Sequence, residues 1–205
     1  MKLIKKISVA LFASLLVVTS FSCASVERVN PNKDIELDGY WSDYDVKLVC
    51  NDIIDQVIAS PRIAKKEKEM GRTPIVTIGN IENASDEFID TQIVADKLET
   101  AILNSGSLEF IASKGMRDDL RAEIADQADH AKPSQAKEFD NEDAADFMLA
   151  GSVRTMVQKD RVKGKEFRTY FVTIDLYDIE SARVVGKFQP SEEVQPRKLI
   201  SGKLR

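Results

Sequence analysis

Two cysteines, one histidine and a run of acids from Asp118 to Asp146 are the residues of this chain best suited to chemistry. Cys23 follows a basic start with Lys2, Lys5 and Lys6, the uncharged run Ile7–Phe21 and the small Ser22. A basic n-region, an apolar run too short to span a bilayer comfortably and a small residue at the cut read as an export signal. A cysteine just after such a cut reads as a lipoprotein acceptor: its thiol takes a diacylglycerol, and its freed amine a further acyl chain. Each buried methylene contributes about 0.8 kcal/mol and stable anchoring needs more than one chain, a requirement this acceptor meets without a transmembrane helix. Ser20 and Phe21 depart from the aliphatic and small residues usual at their places. The alternative is an ordinary secretory signal or an uncleaved anchor.

The remaining candidates do not assemble into a catalytic set. His130 falls in a polar link between two expected helices, and a metal site needs several converging ligands. Gly164-Lys165 lacks the upstream glycine of a phosphate loop, and no nucleophile elbow occurs. Asp118, Asp119, Glu123, Asp126, Asp129, Asp140, Glu142, Asp143 and Asp146 could supply acid pairs, but such pairs need one desolvated partner. These acids sit beside Arg117, Arg121 and Lys137, as on a solvated face. Asp140-Asn141-Glu142-Asp143 lacks the glycine and spacing of a calcium loop. Cys50 lies in the helical stripe Val46, Cys50, Ile53, Val57 and reads as a buried thiol. With Cys23 lipidated, no intramolecular disulfide can form. The residues therefore imply a protein that is not an enzyme and carries no metal or cofactor.

Charge narrows the partners. The formal net charge is −5, and loss of the three signal lysines makes the exported part more acidic still. An acidic exported protein is a poor binder of nucleic acid. Two basic features stand against that background: Lys159, Arg161, Lys163, Lys165 and Arg168 around one expected hairpin tip, and Arg197, Lys198, Lys203 and Arg205 in a tail without acids. Either could meet an acidic partner, an anionic glycan or lipid head groups. The alternative is a solubilising tip and a frayed terminus.

These residues must be positioned by a single domain, which 43% hydrophobic content can supply with a core. Residues 1–22 read as signal and 23–38 as a lipidated tether, aperiodic and containing Pro31. The globular domain covers 39–193, and 194–205 form the basic tail. A first helix is expected from Ser42, capped with Asp45, to Ala59. Residues 62–71 form a charged turn or short helix ending at Gly71. Pro74–Ile81 is a strand rich in β-branched residues, followed by a polar loop at Asn83–Asp86. A helix capped by Asp90 or Thr91 ends at Gly106. A short strand at Leu108–Ile111 and a charged outer helix at Met116–Asp129 come next. Pro133-Ser134 is expected to open another helix, to about Ala145. Phe147–Val157, Phe167–Ile179 and Val184–Phe188 alternate as an antiparallel meander. The fold class is α/β (α+β): a mixed sheet of about five strands flanked by about four helices.

Several segments together resemble a known family. They are Pro74-Ile75-Val76-Thr77-Ile78-Gly79-Asn80-Ile81-Glu82-Asn83-Ala84-Ser85, Leu108-Glu109-Phe110-Ile111, Ala145-Asp146-Phe147-Met148-Leu149-Ala150-Gly151-Ser152 and Val172-Thr173-Ile174-Asp175-Leu176-Tyr177-Asp178-Ile179. In order and spacing they are similar to the LpoB-type penicillin-binding protein activators, over roughly residues 37 to 190. The resemblance implies an outer-membrane lipoprotein that faces the periplasm, binds a bifunctional penicillin-binding protein and stimulates peptidoglycan synthesis without catalysis. Ala24 in place of Asp favours outer-membrane sorting. Val185 stands where family members often carry tryptophan. The tether, about 15 residues of at most ~3.6 Å each, reaches roughly 50 Å. The contact residues expected for a partner are Glu82, Asn83 and Ser85 in the polar loop and Lys159, Arg161 and Lys163 in the basic hairpin. A structural or assembly lipoprotein of the envelope, and a weak envelope hydrolase using paired acids, are the alternatives.

Overall fold

The computed structural model describes Asn30, residues 39–138 and residues 141–201. The signal, Cys23 and most of the tether lie outside the described residues. The chain divides into residues 1–33 and 34–205, and the second unit carries the fold.

Helix α1 spans Asp43–Ile58. Ser42 and Asp45 cap it reciprocally, each side chain taking the other's backbone N–H. Ser60 then starts α2, Pro61–Met70, with Pro61 at the position where a missing N–H costs nothing. Gly71, at φ 68°, closes α2 in the left-handed region. The charged segment is thus a true helix, with only Ile63 buried. Strand β1 covers Ile75–Ala84, α3 covers Thr91–Ser105, β2 is the short Glu109–Phe110, and α4 covers Lys114–His130. Strands β3 (Phe147–Asp160), β4 (Lys165–Asp178), β5 (Arg183–Phe188) and β6 (Arg197–Ser201) complete the sheet.

The sheet runs β2-β1-β3-β4-β5, with β6 also paired to β4. β1 is parallel to both β2 and β3, whereas β3-β4-β5 is an antiparallel meander and β6 is antiparallel to β4. Two-residue alternation sorts the side chains onto two faces. On one face Val76, Leu149, Val153, Tyr170, Val172, Ile174 and Leu176 are buried beneath α1 and α3. The other face carries Ala150, Ser152, Arg154, Phe171, Thr173 and Asp175.

Strand lengths create a projecting arm. β1 stops opposite Arg154, but β3 and β4 stay paired from Arg154↔Phe171 out to Asp160↔Lys165. β5 pairs only with Ile174–Asp178, so β6 takes the vacant side of β4 at Lys165–Thr169.

Two expectations need correction. No helix opens at Pro133: the described part of 131–146 is a turn, closed by the Gln135 and Ala136 N–H groups on the Lys132 carbonyl, then chain without regular secondary structure. Its apolar residues, chiefly alanines, offer no face to pack, and packing supplies most helical stability. The sheet has six strands because β6 lies within the segment read as a basic tail. Its alternation is inverted, Lys198 pointing inward and Leu199 outward, which hides a strand from hydrophobic patterning.

Candidate partner-binding surfaces

The polar loop after β1 is built by its own amides. Asn83 Nδ2 donates to the Glu87 and Ile89 carbonyls at 2.9 and 3.3 Å, and Ser85 Oγ donates to Asn83 Oδ1 at 2.6 Å. Asn83 and Ser85 therefore shape the loop, and exposed Glu82 on β1 stands beside it. Glu82 faces a shallow groove of about 610 Å³ on the sheet face opposite α1 and α3, together with Asn80, Arg154, Phe171, Asp175 and Lys187. Lys187 Nζ and Asp175 Oδ1 lie 2.6 Å apart across β4 and β5.

The basic hairpin cluster splits in two. Lys159 Nζ pairs with Glu166 Oε2 at 2.9 Å, and Arg168 donates from Nε to Glu166 Oε1 at 2.6 Å and from Nη1 to Asp86 Oδ1 at 3.0 Å. Tyr170 donates its hydroxyl to Glu87 Oε1 at 2.6 Å, and the Arg168 guanidinium lies 4.7 Å from the centre of the Tyr40 ring. Trp41 packs on Tyr170 with ring centres 5.3 Å apart, and its backbone N–H donates to Glu87 Oε2. Lys159 and then Arg168 hold the Glu166 carboxyl below the usual carboxylate range against the opposing effect of burial. Burial pulls the Arg168 guanidinium down, but its bonds to Glu166 and Asp86 outweigh this and leave it raised. Burial first, and then Glu87, pushes the Tyr170 phenol up. The network clasps the start of the domain and the 85–90 loop to the arm. By contrast, Arg161, Lys163 and Lys165 have no ion pair among the described residues.

Sequence reading missed this network. Its signal is alternation that continues with the wrong chemistry: Glu166 and Arg168 share the face of Tyr170, Val172 and Ile174, so the pattern itself places two charges inward. Lys198 follows the same logic, reaching Asp45 at 3.0 Å with both side chains nearly buried.

The other chemical candidates scatter. His130 is exposed in the last turn of α4, 3.2 Å from Asp126. Arg121 grips Glu142 with two bonds of 2.7 and 2.8 Å, tying α4 to the following segment. Asp146 receives both Arg72 terminal nitrogens at 2.8 Å and the Ile75 N–H at 2.8 Å, which joins the starts of β1 and β3. Among the described residues no group of His, Cys and acids could hold a metal. A second cleft of about 440 Å³ lies between α4 and the β1–β2 edge, walled by Ile75, Phe110, Ile111, Leu120 and Ile124. Cys50 is fully buried, its thiol pushed up to about 12 by burial.

A sequence model described as peptidoglycan-synthase activator LpoB matches residues 45–187, more than half of the chain. The chain belongs to the LpoB family. Among solved structures, it is similar to the LpoB C-terminal domain from Salmonella enterica at 10% identity and TM-score 0.42, covering 78% of this chain and 100% of that one. The corresponding Escherichia coli domain gives 12% identity and TM-score 0.42, with coverage of 73% and 100%. The lipoprotein GNA1162 from Neisseria meningitidis gives 10% identity and TM-score 0.34, with coverage of 62% and 83%. Among curated proteins no sequence match is found. The LpoB match spans α1 through most of β5, and so takes in both the 85–90 loop and the arm. No helix among the described residues is long and apolar enough to cross a membrane.

Proposed function

We propose that this LpoB-family chain is anchored through lipid on Cys23 to the periplasmic side of the outer membrane, where it binds a bifunctional penicillin-binding protein and stimulates its peptidoglycan synthesis. The observation that carries this reading is the family match over residues 45–187. The export signal and Ala24 support the address, and the family described as an activator supports a role in binding. Stimulation by binding requires tighter binding to the active state of the synthase than to the inactive one. We assign the contact to Glu82 and the groove beside it, with Asn83 and Ser85 holding the adjoining loop in shape. Lys159 reaches the adjoining loop indirectly, through Glu166 and Arg168 to Asp86.

Crosslinking in intact cells followed by purification through this chain tests the pairing. Recovery of a bifunctional synthase is expected, and Glu82→Lys should lower it at least several-fold without changing the melting temperature. Recovery of pore or assembly components with no penicillin-binding protein would replace this reading with that of a structural envelope lipoprotein.

A further inference from the structure

We infer that the tip of the β3–β4 arm is a membrane-contact element, which sets Val162 and the cations around it against an anionic lipid surface. Val162 is 97% exposed at the end of the hairpin. The turn is held in place: Asp160 Oδ1 accepts the N–H groups of Val162 at 3.1 Å and Lys163 at 3.0 Å. That carboxylate is committed to the turn, and Arg161, Lys163 and Lys165 surround the valine with no ion pair among the described residues. Just behind the tip, Phe167 and Leu199 face each other across β4 and β6, and Leu199 is 61% exposed. An exposed apolar residue ringed by cations suits the boundary between head groups and acyl chains.

The course of the chain selects a lipid surface over a soluble acidic partner. Gly39, at φ +76°, lies so close to Ile200 that a Cβ there would meet Ile200 Cγ1 at 2.6 Å. Ile200 is paired with Glu166, one residue from Lys165, so the chain joins the domain at the tip end of the arm. A tether of at most roughly 50 Å from a lipidated Cys23 would keep that end of the domain within reach of the bilayer. Without the three signal lysines the net charge of −5 becomes −8, so the body of the protein repels an anionic surface, leaving the tip as the part that can approach it. A lipid anchor combined with a basic patch is a stronger membrane attachment than either signal alone. The inference rests on the anchored reading for proximity to the membrane only.

The test uses the chain starting at residue 24, which lacks the acylated cysteine and keeps every core residue from Val46 to Phe188. It is sedimented with vesicles of phosphatidylcholine alone and with vesicles also containing phosphatidylglycerol, at low salt. Preferential binding to the anionic vesicles is expected. Each cation near such a surface strengthens binding about fivefold, so Arg161→Glu with Lys163→Glu should weaken it at least about twentyfold. Val162→Cys carrying an environment-sensitive dye should blue-shift on anionic vesicles only, while buried Cys50 stays unlabelled. Absence of binding, equal binding to both compositions, insensitivity to the double reversal or an unmoved dye would each overturn the inference. Loss of synthase recovery in the reversed variant with vesicle binding unchanged would also overturn it, giving the tip to the protein partner. No synthase is present in the vesicle assay, so its failure is separable from failure of the activator reading.

Discussion

Arg168 has a side chain 7% exposed and three carboxylates in reach, so its removal leaves nearly buried Glu87 and Glu166 with a lost partner, Glu166 keeping only Lys159. Breaking a buried pair by deleting one partner costs about 3–5 kcal/mol. Arg168→Ala should lower stability by that order in urea unfolding, and Arg168→Lys should recover only part, because an ammonium cannot fork between Glu166 and Asp86. Glu166 of this network and Asp178 at the other end of β4 set an acid limit. Lys159 and Arg168 hold Glu166 low, and the Ser181 backbone and hydroxyl hold Asp178 low. A carboxyl whose folded pKa is depressed gives stability that is present above its unfolded pKa, near 4.3 for Glu by a rough general value, and lost as pH falls through the folded pKa. Unfolding midpoints should therefore be flat near neutrality and fall below about pH 4. Glu166→Gln should lower the plateau and shallow that acid limb. Cys50 gives an independent readout: with its thiol pushed up to about 12 and fully buried, it should resist alkylation at pH 8 until denaturant is added.

At the scale of elements, the glycine of Leu149-Ala150-Gly151-Ser152 has a specific task. A Cβ on Gly151 would collide with the Thr173 carbonyl on β4 and crowd Ile174, so Gly151→Ala should separate β3 from β4 and lower the melting temperature sharply. The helices should differ in their tolerance. Leu98 on α3 is fully buried, and Leu98→Ala should cost about 2–5 kcal/mol. Leu120 on α4 is 50% exposed, and the same change should cost under about 1 kcal/mol. The amphipathic and β-branched segments are legible in the sequence: the Ser42 cap and the Gly106 stop stand where the pattern puts them, the meander strands overlap their expected runs, and β1 continues past Ile81 through Asn83 and Ala84 of the expected loop. The failures share a cause. The expected helix after Pro133 had a start signal without a face to bury, and β6 had a partner without an apolar face to announce it. Of the expected contact residues, the positions of Glu82, Arg161 and Lys163 at the surface were readable. The diversion of Lys159 into Glu166 was not, because it depends on strand register in three dimensions.

In the whole molecule, the proposed lipid on Cys23 would leave the LpoB-family domain a tether of roughly 50 Å at full stretch. A domain of this size adds roughly 30–40 Å, which would limit the distance from the bilayer at which the proposed contact at Glu82 could form. Lengthening the tether with an inserted flexible segment should preserve folding and change stimulation in cells, read as the growth of cells that depend on this chain. The central claim is activation by binding. It is tested most directly by the rate of glycan polymerisation of the bifunctional synthase from the same cell, measured with and without this chain. A saturable rise that Glu82→Lys diminishes is expected; a rate unchanged at concentrations where the two proteins demonstrably bind would contradict activation by binding.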